Sequence, residues 1–103
     1  MPRIRACRED ELSDGGILRL EGNEPIALYR VDGGFYATSD TCTHGQSSLS
    51  EEGELDGFAI ECGWHFGRFD IRTGAVISSP CIHALRSYPA VVENGEVFVD
   101  IGG

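Results

Sequence analysis

Two short segments of this chain each combine a cysteine with a histidine, and side chains of these types bind metals. Cys42 is followed two positions later by His44, and Cys62 is followed three positions later by His65. Two thiolates and two imidazoles suit either a tetrahedral zinc ion or a [2Fe–2S] cluster in which two histidines replace two cysteines on one iron. Zinc would stabilise a structural domain and the cluster would carry an electron, so the rest of the sequence bears on that choice.

The distribution of the four side chains favours iron over zinc. Structural zinc sites usually contain a pair of cysteines in one knuckle, and those with two histidines place them on a helix. Here each segment supplies one cysteine and one histidine, and neither is followed by a predicted helix that carries a histidine pair. Two facing loops of this kind can put both sulfurs on one iron and both imidazoles on the other. A zinc-stabilised interaction domain stays open as the alternative.

Strand-like patterns dominate the segments that must position these side chains. Asp32-Gly33 and Asn94-Gly95 each separate two apolar runs, and both dipeptides favour two-residue hairpin turns. We therefore predict one hairpin before the first Cys–His segment and another near the C-terminal end. Further strands are predicted at 17–20, 58–61 and 68–71, and a short helical turn at 47–52.

Together these elements predict an all-β fold, a small antiparallel sandwich or barrel-like domain with one inserted subdomain. The inserted subdomain would bind the metal and is predicted at about residues 40–83, leaving a base at residues 1–39 and 84–103. A chain of 103 residues is long enough for one domain and too short for two with separate cores.

Bulk composition limits the partners that the chain could recognise. Its 17 acidic and 8 basic residues give a formal charge of −9. Nucleic acid would require a basic stripe, so we expect none, and the acidic surface instead suits basic patches on protein partners. No apolar run could span a membrane and no apolar signal core follows Met1, so we expect no membrane association and a cytoplasmic protein.

The spacing Cys42-x-His44 … Cys62-x-x-His65-x-Gly67 resembles the Rieske iron–sulfur motif. The surrounding segments are similar to the Rieske-type ferredoxins of bacterial aromatic-ring dioxygenase systems. The likeness extends over essentially the whole chain. The segments that carry it are 35–45, 65–74, Pro80 and 85–89.

This resemblance implies a single Rieske domain over residues 1–103 that holds one [2Fe–2S] cluster. The implied ligands are Cys42 and Cys62 on one iron and His44 and His65 on the other. A third loop, around Pro80, is implied to cover the cluster. The other residues implied to surround the cluster are Gly45, Trp64 and Gly67.

Three positions depart from the Rieske proteins of respiratory complexes, to which the motif is also similar. Those proteins have a loop disulfide whose second cysteine precedes the second histidine, and here that position is Trp64. They also have a serine and a tyrosine hydroxyl that donate to sulfur, and here these positions are Gly67 and Phe69. Such hydrogen bonds stabilise the reduced cluster and raise its potential. Because they are missing here, we expect a potential on the order of −150 mV, at the low end of the Rieske range.

Little is left in the sequence with which to build an active site. Of three histidines, only His83 remains if two bind the cluster, so an oxygen-activating iron held by two histidines and a carboxylate cannot be built. No Gly-x-Gly-x-x-Gly segment is present for a flavin or nicotinamide. Cys7 has no Cys or His at ligand spacing, and Cys7 and Cys81 are predicted to be structural thiols.

We therefore expect no enzyme but a soluble one-electron carrier, which suits a monomer. The resemblance implies that it takes electrons from an NAD(P)H-dependent ferredoxin reductase, a flavoprotein, and delivers them to the α subunit of a terminal oxygenase. Two further alternatives are a Rieske-like small subunit of an assimilatory nitrite reductase and a Rieske domain cut from an oxygenase α subunit.

Overall fold

Antiparallel strands make up most of the structure, a computed structural model that describes residues 3–21, 24–42, 48–62, 67–78 and 83–101. No helix among these residues is long and apolar enough to cross a membrane. The strands are β1 (Arg3–Arg8), β2 (Ile17–Leu20), β3 (Ile26–Val31), β4 (Gly34–Ser39), β5 (Glu54–Asp56), β6 (Ala59–Glu61), β7 (Arg68–Asp70), β8 (Val76–Ser78), β9 (Ser87–Tyr88), β10 (Ala90–Glu93) and β11 (Glu96–Asp100), and α1 (Leu49–Glu52) is a single helical turn.

In the part of the chain that the structure describes, the strands form three small antiparallel sheets, so the all-β prediction is confirmed. Their strand orders are β1-β11-β10, β2-β3-β4-β9 and β5-β6-β7-β8. We call them the terminal sheet, the middle sheet and the ligand sheet. The ligand sheet lies within the segment predicted to bind the metal, and the other two sheets come from the segments predicted to form the base.

Both predicted hairpins are confirmed, and their turns have the expected backbone. Asp32 and Gly33 have φ of 52° and 78°, and Asn94 and Gly95 have φ of 53° and 77°. Two consecutive left-handed residues define the turn type whose twist matches that of paired strands, which is why Asp-Gly and Asn-Gly favour it. The turns join β3 to β4 and β10 to β11.

Strand β3 is buried on both of its faces and separates two apolar cores. Ala27 and Tyr29 point into the core shared with the ligand sheet, which we call the ligand core. Ile26 and Leu28 point into the core shared with the terminal sheet. Since successive side chains of a strand alternate between faces, a strand between two cores must be apolar at nearly every position, as β3 is.

The core beside the terminal sheet also contains Cys7. This thiol is buried, and burial raises its pKa. Cys7 forms no disulfide, in agreement with the prediction of a structural thiol. Cys81 lies outside the described residues.

Tyr29 places a phenol inside the ligand core, and this burial predicts a stability loss at alkaline pH. Its hydroxyl lies 2.9 Å from Oγ1 of Thr38, and burial raises the pKa of Tyr29 well above its ordinary value. The folded chain keeps this phenol protonated while the unfolded chain ionises above about pH 10, so stability is present below that pH and falls by up to about 1.4 kcal/mol per pH unit above it. Urea unfolding between about pH 8 and 11 should show Tyr29→Phe losing less stability than the wild type.

The control for this measurement is Tyr36→Phe, which removes a hydroxyl from a partly exposed ring on the adjacent strand. Over the same pH range, Tyr29→Phe should lose less stability than Tyr36→Phe. If Tyr29→Phe and Tyr36→Phe lose stability in parallel, ionisation of the buried phenol does not cause the alkaline loss.

Candidate metal centre

Cys42 and Cys62, the two predicted sulfur ligands, lie in the same apolar core. Their residues are 2% and 0% exposed, and both belong to the ligand core. Neither forms a disulfide. Cys42 follows the end of β4 closely and Cys62 follows β6 directly, so two different sheets carry these thiols into one region.

The residues on either side of the first Cys–His segment lie next to each other. Thr41 and Ser48 form an antiparallel bridge, and the N–H of Leu49 donates to the carbonyl of Asp40 at 2.7 Å. These contacts hold the two ends of the segment 42–47 side by side. His44 and Gly45 lie between them, outside the described residues.

The second Cys–His segment is closed in the same manner. The N–H of Cys62 donates to the carbonyl of Gly67 at 2.7 Å, next to the paired residues Glu61 and Arg68 of β6 and β7. The guanidinium of Arg68 also reaches the carboxylates of Glu61 and Asp56, each at 3.3 Å. Trp64 and His65 fall in the part of this segment that is not described.

A third segment, predicted to pass over the cluster, is tied at its base by Gly74 and Leu85. The N–H of Leu85 donates to the carbonyl of Gly74 at 2.8 Å, and the N–H of Gly74 donates to the carbonyl of Asp70 at 2.7 Å. Leu85 is buried in the ligand core together with the two cysteines. Pro80 is outside the described residues.

Two positions expected to lack a hydroxyl near the cluster are described. Gly67 is buried, and Phe69 is 0% exposed with its ring in the ligand core. Neither side chain can donate a hydrogen bond to sulfur. The expectation of a low reduction potential depends on this lack of hydroxyl donors at Gly67 and Phe69.

The thiol pair suits iron–sulfur ligation. Thiolates are the protein ligands of [2Fe–2S] clusters, and an apolar core keeps water away from them. Within the described ranges, no three or more His, Cys, Asp or Glu side chains gather at one point. The other two predicted ligands, His44 and His65, lie in 43–47 and 63–66, outside the described residues.

Asp40 is a buried charged residue beside this site that had no predicted role. It is 1% exposed, whereas aspartate is rarely buried without partners. The only hint of a role in the sequence is its position two residues before Cys42. The burial of Asp40 depends on contacts with Ser48 and Ser50 across the first segment, which the sequence does not reveal.

Comparisons with known proteins were made over the whole chain. The sequence profile of the Rieske [2Fe-2S] domain matches residues 3–89. The ferredoxin component of the p-cumate 2,3-dioxygenase system of Pseudomonas putida is 54% identical over 101 residues, 96% of this chain and 86% of that protein. The biphenyl dioxygenase ferredoxin subunit of Pseudomonas sp. (strain KKS102) is 45% identical over 101 residues, 97% of this chain and 93% of that protein.

A solved structure has the same fold. One chain in the complex of reduced oxygenase and oxidized ferredoxin in carbazole 1,9a-dioxygenase superposes with a TM-score of 0.90 at 46% sequence identity. The match covers 94% of this chain and 91% of that chain. This chain is therefore similar to such ferredoxins in both fold and sequence over nearly its full length.

Proposed function

This chain belongs to the Rieske [2Fe-2S] domain family, and we propose that it serves as the ferredoxin of a bacterial aromatic-ring-hydroxylating dioxygenase system. It carries one [2Fe–2S] cluster and acts as an electron-transfer component rather than as an enzyme. The structural observation that carries the proposal is the pair of buried cysteines, each at the closed end of a Cys–His segment and both in one core.

The proposed ligands are Cys42 and Cys62 on one iron and His44 and His65 on the other. The cluster, when bound, supplies a centre that accepts and releases a single electron. The chain's own contribution is to bury the two thiols and to hold both segments closed at their bases. The absence of a hydroxyl at Gly67 and Phe69 supports a low potential, on the order of −150 mV. The proposed surroundings of the cluster are Gly45, Trp64, Gly67 and Pro80.

We assign this ferredoxin two protein partners. An NAD(P)H-dependent flavoprotein reductase would supply the electron, and the α subunit of a terminal oxygenase would receive it. The solved carbazole dioxygenase complex pairs a similar ferredoxin with its oxygenase. A protein that shuttles between them needs only small, short-lived interfaces and would work as a monomer. We place it in the cytoplasm, where thiols that must ligate iron stay reduced.

Metal analysis and EPR of the dithionite-reduced protein test this function. We expect equal amounts of iron and acid-labile sulfide and the EPR signal of a mixed histidine and cysteine cluster. Reduced protein mixed with a terminal oxygenase of this class should be reoxidised as the oxygenase cluster is reduced. A colourless protein with bound zinc and no sulfide would contradict the proposal, and so would co-purification with a sirohaem subunit.

The formal charge of −9 predicts that reduction by the reductase depends on salt. Raising the ionic strength from about 0.1 M to 1 M shortens the Debye length from about 10 Å to 3 Å and should slow the bimolecular step several-fold. Stopped-flow absorbance of the cluster measures this rate. The control is the rate at which the same reductase reduces a small uncharged acceptor, which should change much less. A rate independent of salt would show that charge does not steer this encounter.

A further inference from the structure

We propose that Asp40 is a positioning residue for the cluster: it clamps the first ligand segment shut and keeps a buried negative charge beside Cys42 that lowers the reduction potential. This inference rests on the proposed function, because it takes Cys42 as a ligand. It concerns a side chain that no ligand role requires.

The clamp consists of three hydrogen bonds that cross the base of the first segment. The main-chain carbonyl of Asp40 accepts from the N–H of Leu49, at 2.7 Å. Its Oδ1 accepts from the N–H of Ser50 at 2.8 Å, and its Oδ2 accepts from the hydroxyl of Ser48 at 2.6 Å. One residue on the entering side therefore holds three consecutive residues on the returning side, and this joins the two ends of the segment that begins at Cys42.

Ser48 and Ser50 extend the clamp into the helical turn α1. Ser48 is the N-cap of α1 and accepts from the N–H of Glu51 at 3.3 Å, while its Oγ lies 3.1 Å from Oγ of Ser50. The carboxylate thus orients the cap of the element that leads out of the ligand segment. Charged acceptors of this kind make stronger hydrogen bonds than neutral ones.

The charge of Asp40 is only partly compensated. Within the described residues, the nearest cation is Arg19, whose Nη1 lies 3.9 Å from Oδ2 of Asp40. The same guanidinium lies closer to Glu51, at 2.6 Å, and to Glu21, at 3.2 Å. One arginine therefore serves three carboxylates, and the group keeps a net negative charge at the edge of the ligand core.

A negative charge at this place should oppose the addition of an electron nearby. The Cα atoms of Asp40 and Cys42 can be no more than about 7 Å apart, because they are separated by two peptide units. Asp40 is 1% exposed, so water screens its field little in the direction of the core. Net charge and hydrogen bonding around a cluster set its potential.

The test compares Asp40→Asn with Asp14→Asn, a variant with the same charge change. Asp14 is exposed and accepts from the N–H of Gly33, at the turn end of the β3–β4 hairpin. Asp40 follows the other end of β4, so the two sites are separated by a strand of six residues, about 20 Å. Spectroelectrochemical titration should give a higher midpoint potential for Asp40→Asn than for both the wild type and Asp14→Asn.

Two further variants test the clamp without removing the charge. Ser48→Ala loses the hydroxyl donor and should release iron to a chelator several-fold faster, with its potential close to that of the wild type. Ser13→Ala is the control, an exposed serine before β2 for which we expect wild-type release. Asp40→Glu keeps the charge, and its potential should lie closer to that of the wild type than the potential of Asp40→Asn does.

The outcomes separate this inference from the proposed function. If wild-type protein shows the Rieske EPR signal and Asp40→Asn shifts the potential no more than Asp14→Asn, the electrostatic role is wrong and the function stands. If Ser48→Ala retains iron as long as the wild type, the clamp is wrong. If the wild-type protein contains no iron–sulfur cluster, the proposed function itself fails.

Discussion

Replacement of Cys62 by serine should abolish the cluster. Cys62 is 0% exposed and its N–H is bonded to Gly67, so its sulfur has a fixed place in the ligand core. Cysteine thiolates hold [2Fe–2S] clusters and a serine hydroxyl is a much poorer ligand, so the variant should be isolated without iron, sulfide or visible colour. Cluster binding also stabilises the fold, and each kcal/mol lost lowers the melting temperature by about 4–8 °C in a domain of this size. We expect a decrease of more than about 10 °C.

Cys7→Ser is the matched control, because Cys7 is also a buried cysteine. It lies in the core beside the terminal sheet, on the other side of β3 from Cys62. Cys7→Ser should lower stability by about 1–3 kcal/mol, the usual cost of burying a hydroxyl in an apolar site, and should keep its full complement of iron. Retention of a full cluster by Cys62→Ser would contradict the ligand assignment. Loss of iron from both variants would show that unfolding rather than ligation removes it.

Turn chemistry made the two hairpins predictable. Asp32-Gly33 and Asn94-Gly95 adopt left-handed backbone in both positions, a conformation that these dipeptides accept at little cost. This information is local, so it can be read from a few consecutive residues. The same holds for the helical turn α1, whose N-cap Ser48 falls within the predicted segment.

Strand β1 and the short strands β5, β8 and β9 were not predicted. The short ones contain two or three residues, too few for a period to be recognised. In β1, arginines alternate with Ile4 and Ala6, which is a weak strand pattern. The strand is stabilised by residues far along the chain: Arg3 pairs with Glu93 at 2.6 Å and lies 4.6 Å from the ring of Phe98. Contacts of this range cannot be inferred from neighbouring residues.

In the candidate site, too, some features could be predicted from local sequence and others depend on contacts between distant residues. The types and spacing of Cys42 and Cys62 indicated metal binding, and the structure places both thiols in one core. Asp40 could not be assigned in this way, because an aspartate in a sequence is expected at the surface. Its role becomes visible only when Ser48 and Ser50 are seen to return beside it.

Replacement of Gly74 by alanine should destabilise the ligand sheet strongly. Gly74 has a φ of +82°, and a Cβ at this position would lie 2.1 Å from the carbonyl oxygen of Leu85. That atom belongs to the backbone and cannot rotate away, so Leu85 would have to leave its place in the ligand core. We expect a loss of about 3–5 kcal/mol in the free energy of unfolding, together with faster release of iron to a chelator.

Gly57→Ala separates the clash from the backbone strain, because Gly57 also has a positive φ, +59°, but no atom within 4 Å of an added Cβ. Gly57 lies in the turn between β5 and β6 of the same sheet, and its replacement should cost only about 1–2 kcal/mol, the strain of a left-handed alanine. Equal losses for the two variants would show that the Gly74–Leu85 contact adds nothing beyond strain. A much larger loss for Gly74→Ala, with iron released faster than from Gly57→Ala, would mean that this contact fastens the third segment to the core that buries the two cysteines.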